Sequence, residues 1–214
     1  MTREELIKRI ALKMDEISSS DDVIVPVGTS DNNPLYTQIN NLLNESVNDV
    51  LMKAPVYRLD SHIATITSGV TVQTVGARKV AVIEVPNDFV RIASISDKDF
   101  QRTIVDLAQE GDDVDKRQHN RHLMAKSAKP VAVLGRGAGG RTITCYSYDT
   151  KSTPAPSVQY VKRYDPEKDL TADTGLDNYM IDLVSWVCAG KVFAAHGDVT
   201  KGKICDENAA SLMI

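Results

Sequence analysis

The residues best suited to metal chemistry lie in the middle of the chain. His119 and His122 are three residues apart, and three aspartates lie just upstream of them. On a helix, two imidazoles at this spacing share one face and can reach one metal ion. The neighbouring Lys116, Arg117 and Arg121 oppose the binding of a divalent cation. The pattern therefore favours a solvated, charged segment, and no metal site is predicted.

A second pattern suggests a nucleotide site. Residues 135–140, Gly-Arg-Gly-Ala-Gly-Gly, fit the G-x-G-x-x-G spacing. In a dinucleotide site the third glycine opens a helix whose N-terminus binds the pyrophosphate. Residues 142–148 are instead β-branched and aromatic, which predicts a strand. The run is therefore interpreted as the tip of a β-hairpin, and no cofactor is predicted.

The sequence also contains no pattern that is typical of a nucleophilic active site. The three cysteines, Cys145, Cys188 and Cys205, lie far apart and form no C-x-x-C pair. Cys188 falls in an apolar run, which indicates a buried free thiol. No serine, cysteine or threonine is placed beside a base by any motif. We therefore predict a protein that is not an enzyme.

Length and composition set the broad class. The chain has 214 residues, of which 42% are hydrophobic and 25% charged, as in an average globular protein. It has no run of eighteen apolar residues, and its start lacks the apolar core of a signal peptide. The expectation is a protein made in the cytoplasm with no membrane partner. A net charge of −4 argues against a free-standing nucleic-acid binder.

Both ends of the chain show helical periodicity. Thr2 and Glu5 form a capping box ahead of one apolar stripe, and Asn33 with Pro34 opens a second helix. Residues 176–196 are apolar on more than half of their circumference, which is typical of a central core helix. The predicted core is drawn from these three helices: Leu6, Ile10, Ile39, Leu43, Val47, Ile181, Val184, Trp186 and Val187. It is expected to be complete by Phe193, so that residues 202–214 are dispensable for folding.

Between the helices the periodicity changes to two. β-branched, alternating segments predict strands at 63–67, 70–75, 79–85, 90–96, 102–107, 131–134, 141–148 and 157–163. The predicted fold class is α+β, with a helical core and a β-rich insertion. The predicted divisions are residues 1–55 for the N-terminal helices, 56–165 for the insertion and 166–214 for the C-terminal helices.

One of these segments carries a resemblance to a known family. Residues 85–95, Val-Pro-Asn-Asp-Phe-Val-Arg-Ile-Ala-Ser-Ile, resemble the "P-x-D-F-x-R-L-x-S-V" strand of podovirus head-to-tail adaptors. Further along, Val105 and Leu107, then 118–121, then 129–131 resemble that family's "V-x-x-L", "Q-x-N-R" and "R-P" stretches. The C-terminal helix and the segment after it resemble the closing part of the family. The composition is also similar to the portal-proximal ring protein of crAss-like phages.

The resemblance implies a structural virion protein. Family members form a connector ring of about twelve copies under the portal protein, bridging to the next tail ring protein. Packaged DNA would pass through the lumen without specific binding, which the negative net charge permits. The location would be the neck or tail of the virion, after synthesis in the host cytoplasm.

Docking in such a ring is expected to use the charged segment 110–129 and the C-terminal end. The predicted interaction residues are Asp115, Arg117, Gln118, Asn120, Arg121, Leu212 and Ile214. Two alternatives remain at this point. One is another tail completion or head-decorating virion protein, and the other is a metal- or nucleotide-binding enzyme that uses the histidines and the glycine run.

Overall fold

The fold is described from a computed structural model of the chain. The structure describes residues 1–18, 34–75, 78–120, 122–137, 139–166 and 169–213. The predicted long loop at 19–33, including the Asn33 cap, lies outside the described residues. The chain divides into two compact units: a helical unit of Met1–His62 and Arg163–Ile214, and a sheet unit of Ile63–Lys162. Helices and sheets are both present, which confirms the α+β class.

The helical unit joins the two ends of the chain. Its helices are α1 (Arg3–Ser18), α2 (Pro34–Lys53), α4 (Asn178–Ala195) and α5 (Val199–Leu212), with short 3-10 turns at Val56–Arg58 and Asp60–His62. The Thr2 hydroxyl accepts from the Glu5 N–H, and the Glu5 carboxylate accepts from the Thr2 N–H at 2.8 Å. This reciprocal bonding is the predicted capping box, and it fixes where α1 begins.

Most of the predicted helical core is buried. Leu6, Ile10, Ile39, Leu43, Val47, Ile181 and Val184 are each at most 3% exposed. The prediction was wrong for Trp186 and Val187, which are only half-buried. The Trp186 ring instead receives the Lys13 ammonium, whose Nζ lies 4.2 Å from the ring centroid. In this cation–π contact the Lys13 ammonium can remain close to water. The side of α4 that carries Trp186 therefore faces the polar edge of α1.

Helix α5 also belongs to the core, which corrects a second prediction. Cys205 is fully buried and Ala209 is 3% exposed, so the core is not complete at Phe193. Gly190 of α4 permits the close contact, since a Cβ there would lie 3.2 Å from Cβ of Cys205. Residues 202–214 are therefore expected to contribute to folding.

The sheet unit contains two sheets. Its strands are β1 (Ile63–Ile66), β2 (Val70–Val75), β3 (Arg78–Glu84), β4 (Phe89–Ser96), β5 (Ala108–Gln109), β6 (Ala132–Gly137), β7 (Gly140–Cys145) and β8 (Ser157–Lys162), with α3 (Asp113–Gln118) between β5 and β6. One sheet has the order β1-β8-β4 and the other β2-β3-β7-β6-β5. Only the β5–β6 pair is parallel among the described strands.

The core of the sheet unit uses residues from both sheets. Its fully buried members include Ala81, Ile83, Ile95, Ile143 and Val158. The predicted strand at 102–107 is wrong, because only one residue of it, Ile104, bridges to Ile95. Val105 is 59% exposed, so the apolar pattern there does not line a buried face. Among the described helices, none is long and apolar enough to cross a bilayer.

Candidate interaction surface

The predicted interaction residues of the charged segment fall into two groups. Asp115 and Gln118 lie on α3 and are buried, at 9% and 3% exposed. One carboxylate oxygen of Asp115 accepts from the Gly111 N–H at 2.9 Å. Gln118 Nε2 donates to the Val114 carbonyl at 2.7 Å, and its Oε1 accepts from the Ala125 N–H at 2.9 Å. These two side chains therefore position the segment within its own unit.

Arg78, at the start of β3, anchors the same segment from the sheet. Its guanidinium donates to the Gln118 carbonyl and lies 5.3 Å from the centroid of the Tyr146 ring. Burial lowers the pKa of Arg78 below its ordinary value. Sequence patterns do not single out this arginine, because its partner lies forty residues away in the chain. The anchoring gives α3 a defined place although the helix has only six residues.

The second group is exposed. Arg117 and Asn120 both lie at the surface, and Asn120 Oδ1 accepts from the His122 N–H at 2.9 Å. Val114 and Leu123 add apolar area, at 39% and 60% exposed. We call these four residues, Val114, Arg117, Asn120 and Leu123, the α3 surface. Arg121 lies outside the described residues.

A small cavity beside α3 is lined by one of the three aspartates upstream of the histidines, Asp115, and by one of the histidines, His119. Glu110, Asp115, His119 and Tyr146 are among the residues that line its volume of about 200 Å³. Burial, and then the negative charge of Asp115, raises the pKa of Tyr146. The His119 ring meets the Tyr146 ring edge-on at 6.4 Å. Within the described part of the chain, no three potential ligands are grouped to bind a metal ion.

The glycine run lies in the hairpin of β6 and β7. Gly137 pairs with Gly140 across the turn, and strand β7 continues directly from Gly140. The predicted strand after the third glycine is confirmed. Gly140 has a φ of +132°, a conformation that side chains larger than glycine rarely adopt. No helix N-terminus is present at this glycine to meet a pyrophosphate.

The C-terminal end contributes one described member of the predicted interaction set. Leu212, at the end of α5, is 39% exposed, and Ile214 lies outside the described residues. Two further apolar side chains of α5 are exposed, Val199 at 63% and Ile204 at 41%. Helix α5 thus buries Cys205 and Ala209 within its unit and leaves Val199, Ile204 and Leu212 partly exposed.

The segment that carries the family resemblance is part of the sheet core. Phe89 begins β4 and stacks on Tyr160 of β8, with 5.8 Å between ring centroids. The Tyr160 hydroxyl donates to the Asp88 carboxylate at 3.0 Å. The Arg141 guanidinium lies 5.6 Å from the centroid of the Phe89 ring. The aspartate and phenylalanine of this motif therefore stabilise the pairing of β4 with β8.

Comparison with known proteins adds no family to this description. No protein-family model matches the chain, and no curated protein matches its sequence.

Proposed function

We propose that this protein is a structural virion subunit, a head-to-tail adaptor that forms an oligomeric ring of about twelve copies. The ring would lie under the portal protein, bridge to the next tail ring protein and surround the DNA passage. The protein would have no catalytic role and no cofactor. Its place would be the neck or tail of the virion.

One observation carries the proposal: the ordered series of motifs that begins with residues 85–95. The motif residues Asp88 and Phe89 have specific contacts in the sheet unit, with Tyr160 and Arg141. Such contacts give a physical reason for an aspartate followed by a phenylalanine at the start of this strand. They support the motif as a structural element of the fold, which is what an adaptor family would share.

The α3 surface supports the docking part of the proposal. Buried Asp115 and Gln118 fix the backbone from within, while Arg117 and Asn120 remain exposed. An ordered surface loses less conformational entropy on binding than a mobile one. A cation and an amide on such a surface suit a charged partner ring, where electrostatic complementarity selects the register.

The net negative charge of the chain supports the part of the proposal in which DNA passes through the ring. The chain has 29 acidic and 25 basic side chains, so a ring of such subunits is negatively charged. Like charge prevents adhesion to phosphates, which non-specific binding would otherwise supply. DNA could then slide through without being retained.

Co-sedimentation with the portal ring tests the proposal. The wild-type chain should sediment with portal, and Arg117→Glu should weaken that association about tenfold, because it places a negative charge at the docking surface. Lys151→Glu is the matched control, since it makes the same charge change at an exposed position outside α3. It should bind portal as the wild type does.

Two results would count against the proposal. A wild-type chain that never associates with portal at any concentration would contradict the adaptor function itself. Equal loss of binding in Arg117→Glu and Lys151→Glu would contradict the role of the α3 surface and indicate a non-specific charge effect. Thermal unfolding of both variants shows whether either change disturbs the fold.

A further inference from the structure

Strand β2 differs from every other described strand of four or more residues, because all six of its residues are exposed. It forms one edge of the five-stranded sheet. Val70, Val72 and Val75 are 37%, 47% and 46% exposed. The sequence of the strand, Val-Thr-Val-Gln-Thr-Val, contains no charge and no proline. Such a strand has high β-propensity and nothing that discourages a further strand from adding.

Among the described residues, nothing pairs with the backbone of β2 on its outer side. The Glu84 N–H donates to the Gly69 carbonyl at 3.0 Å, which places Gly69 on the side that bonds to β3. Bonding directions alternate along an antiparallel strand, so Val70, Val72 and Thr74 direct their N–H and C=O groups away from β3. No strand within the described residues lies beyond them. They form a row of donors and acceptors in the geometry that an added strand requires.

The opposite edge of the same sheet is protected. There β5 has only two residues, and it covers part of β6. Beyond β5, a carboxylate oxygen of Glu110 accepts from the Arg136 N–H at 3.0 Å, so a side chain occupies the next backbone donor. A short strand and a charged side chain are two usual devices against strand addition. Neither device is present at β2, whose six residues include no charge.

We propose that β2 binds a second copy of this chain by antiparallel pairing of the two β2 strands, with Val72 opposite Val72 of the partner subunit. In this register Val70 lies opposite Thr74 of the partner subunit, and the outward backbone groups of both strands bond to each other. The strand is uncharged, so no like charges meet across the pair. The two strands are identical and therefore self-complementary.

The apolar side chains favour the same register. Val70 and Val72 pair with Ile83 and Ala81 of β3 and lie on the same face of the sheet as these buried residues. An antiparallel partner related by a two-fold axis keeps this face, so its own valines extend the apolar surface. Burial of these half-exposed valines adds to the backbone bonds.

This contact has a two-fold axis perpendicular to the sheet. A single ring with one rotation axis contains no such two-fold axis between neighbours, so the inference does not rest on the adaptor proposal. A pair of six-residue strands is also smaller than a standard protein interface. The dimer is therefore expected to be weak and to depend on concentration.

Sedimentation velocity of the isolated full-length chain tests the inference over roughly a hundredfold range of concentration. The wild type should shift from monomer to dimer as concentration rises. Val72→Pro removes an outward N–H without removing a bond to β3, and it should remain monomeric across the range. Val72→Thr is the matched control, because it keeps the N–H and the β-propensity; it should dimerise within about twofold of the wild type.

Val72→Lys provides a second variant in case proline disturbs the hairpin. It places two like charges directly opposite each other and should weaken the dimer about tenfold or more. Thermal unfolding should show that Val72→Lys folds as the wild type does, since the residue is 47% exposed. A wild type that stays monomeric, or a dimer that survives both Val72→Pro and Val72→Lys, would overturn the inference. Open-ended association instead of a dimer would also overturn it.

Discussion

The helical unit and the sheet unit each bury an arginine, Arg3 and Arg78, but they differ in the backbone that they leave exposed. In the helical unit Arg3 is 1% exposed, and its guanidinium donates to the Asn40 and Asn44 side chains and to the Asn40 carbonyl. In the sheet unit an uncharged strand with three valines is left at the surface.

The difference indicates how each unit is stabilised. The first joins residues far apart in sequence through buried contacts, so it should be sensitive to substitutions in its interior. In the sheet unit, the outward N–H and C=O groups of β2 can pair with another chain. Substitutions in β2 should therefore alter association more than stability. Substitutions in the helical interior and in β2 should therefore have different main effects, on stability and on association respectively.

The largest expected effect is on the helical core. Val184→Asp places a carboxylate at a fully buried position of α4, which should lower the free energy of unfolding by about 4 kcal/mol. Leu12→Asp is the control, because Leu12 is 57% exposed on α1 and its replacement should change stability by less than about 0.5 kcal/mol. Chemical denaturation measures both. Equal stability of the two variants would show that α4 is not the core helix.

The second largest loss of stability is expected from removal of residues 202–214. The deletion takes away buried Cys205 and Ala209 and exposes the face of α4 at Gly190. We expect a loss of about 3 kcal/mol, from the burial that those side chains and their neighbours lose. Differential scanning calorimetry of the truncated chain checks this. A melting temperature equal to that of the full chain would restore the original expectation that the core ends at Phe193.

A smaller loss of stability is expected when Arg3, the buried cation, is replaced by another cation. Arg3→Lys cannot reproduce the fork in which one guanidinium group donates to both Asn40 and Asn44. We expect a loss of about 2 kcal/mol, since at least one half-buried amide oxygen is left without its donor. Urea denaturation is the measurement. Lys13→Arg, in the same helix, should change little, and a similar loss there would point to a general effect on α1.

The smallest effect is a pH-dependent loss of stability that arises in the core of the sheet unit. Burial raises the pKa of the Cys145 thiol to about 12, so the folded state retains this proton where the unfolded chain loses it. The resulting stability is complete below the ordinary thiol pKa and declines as pH rises from there towards the folded value. Between about pH 9 and pH 10 the wild type should lose about 1 kcal/mol more than Cys145→Ala. Identical pH dependence in both chains would contradict the buried state of this thiol.

Local patterns in the sequence predict the helices and strands but not which of them pair or pack together. The capping box at Thr2, the helical stripes and most strands depend on neighbouring residues, and they agree with the structure. The exposed edge at β2 could not be predicted, because strand order depends on contacts between distant segments. The error at Trp186 has a similar origin, since a helix that is apolar over more than half of its circumference does not show which side meets Lys13.

The candidate interaction residues show the same division. Arg117 and Asn120 are exposed, whereas Asp115 and Gln118 are buried by contacts with Gly111 and Ala125 that composition does not reveal. A charged segment suggests a solvated surface, but a six-residue helix has only a few side chains with which to attach itself to the sheet. Some of its polar residues must therefore face inward.

We propose that this chain is an adaptor subunit that assembles on the portal. Electron microscopy of the purified protein mixed with portal rings tests it most directly. We expect an additional ring of density on one face of the portal, coaxial with its channel and about twelvefold symmetric. Portal rings that show no added density at saturating protein would contradict the adaptor proposal. Density attached to the outer wall of a capsid, in a parallel mixture with heads, would instead identify a decorating subunit.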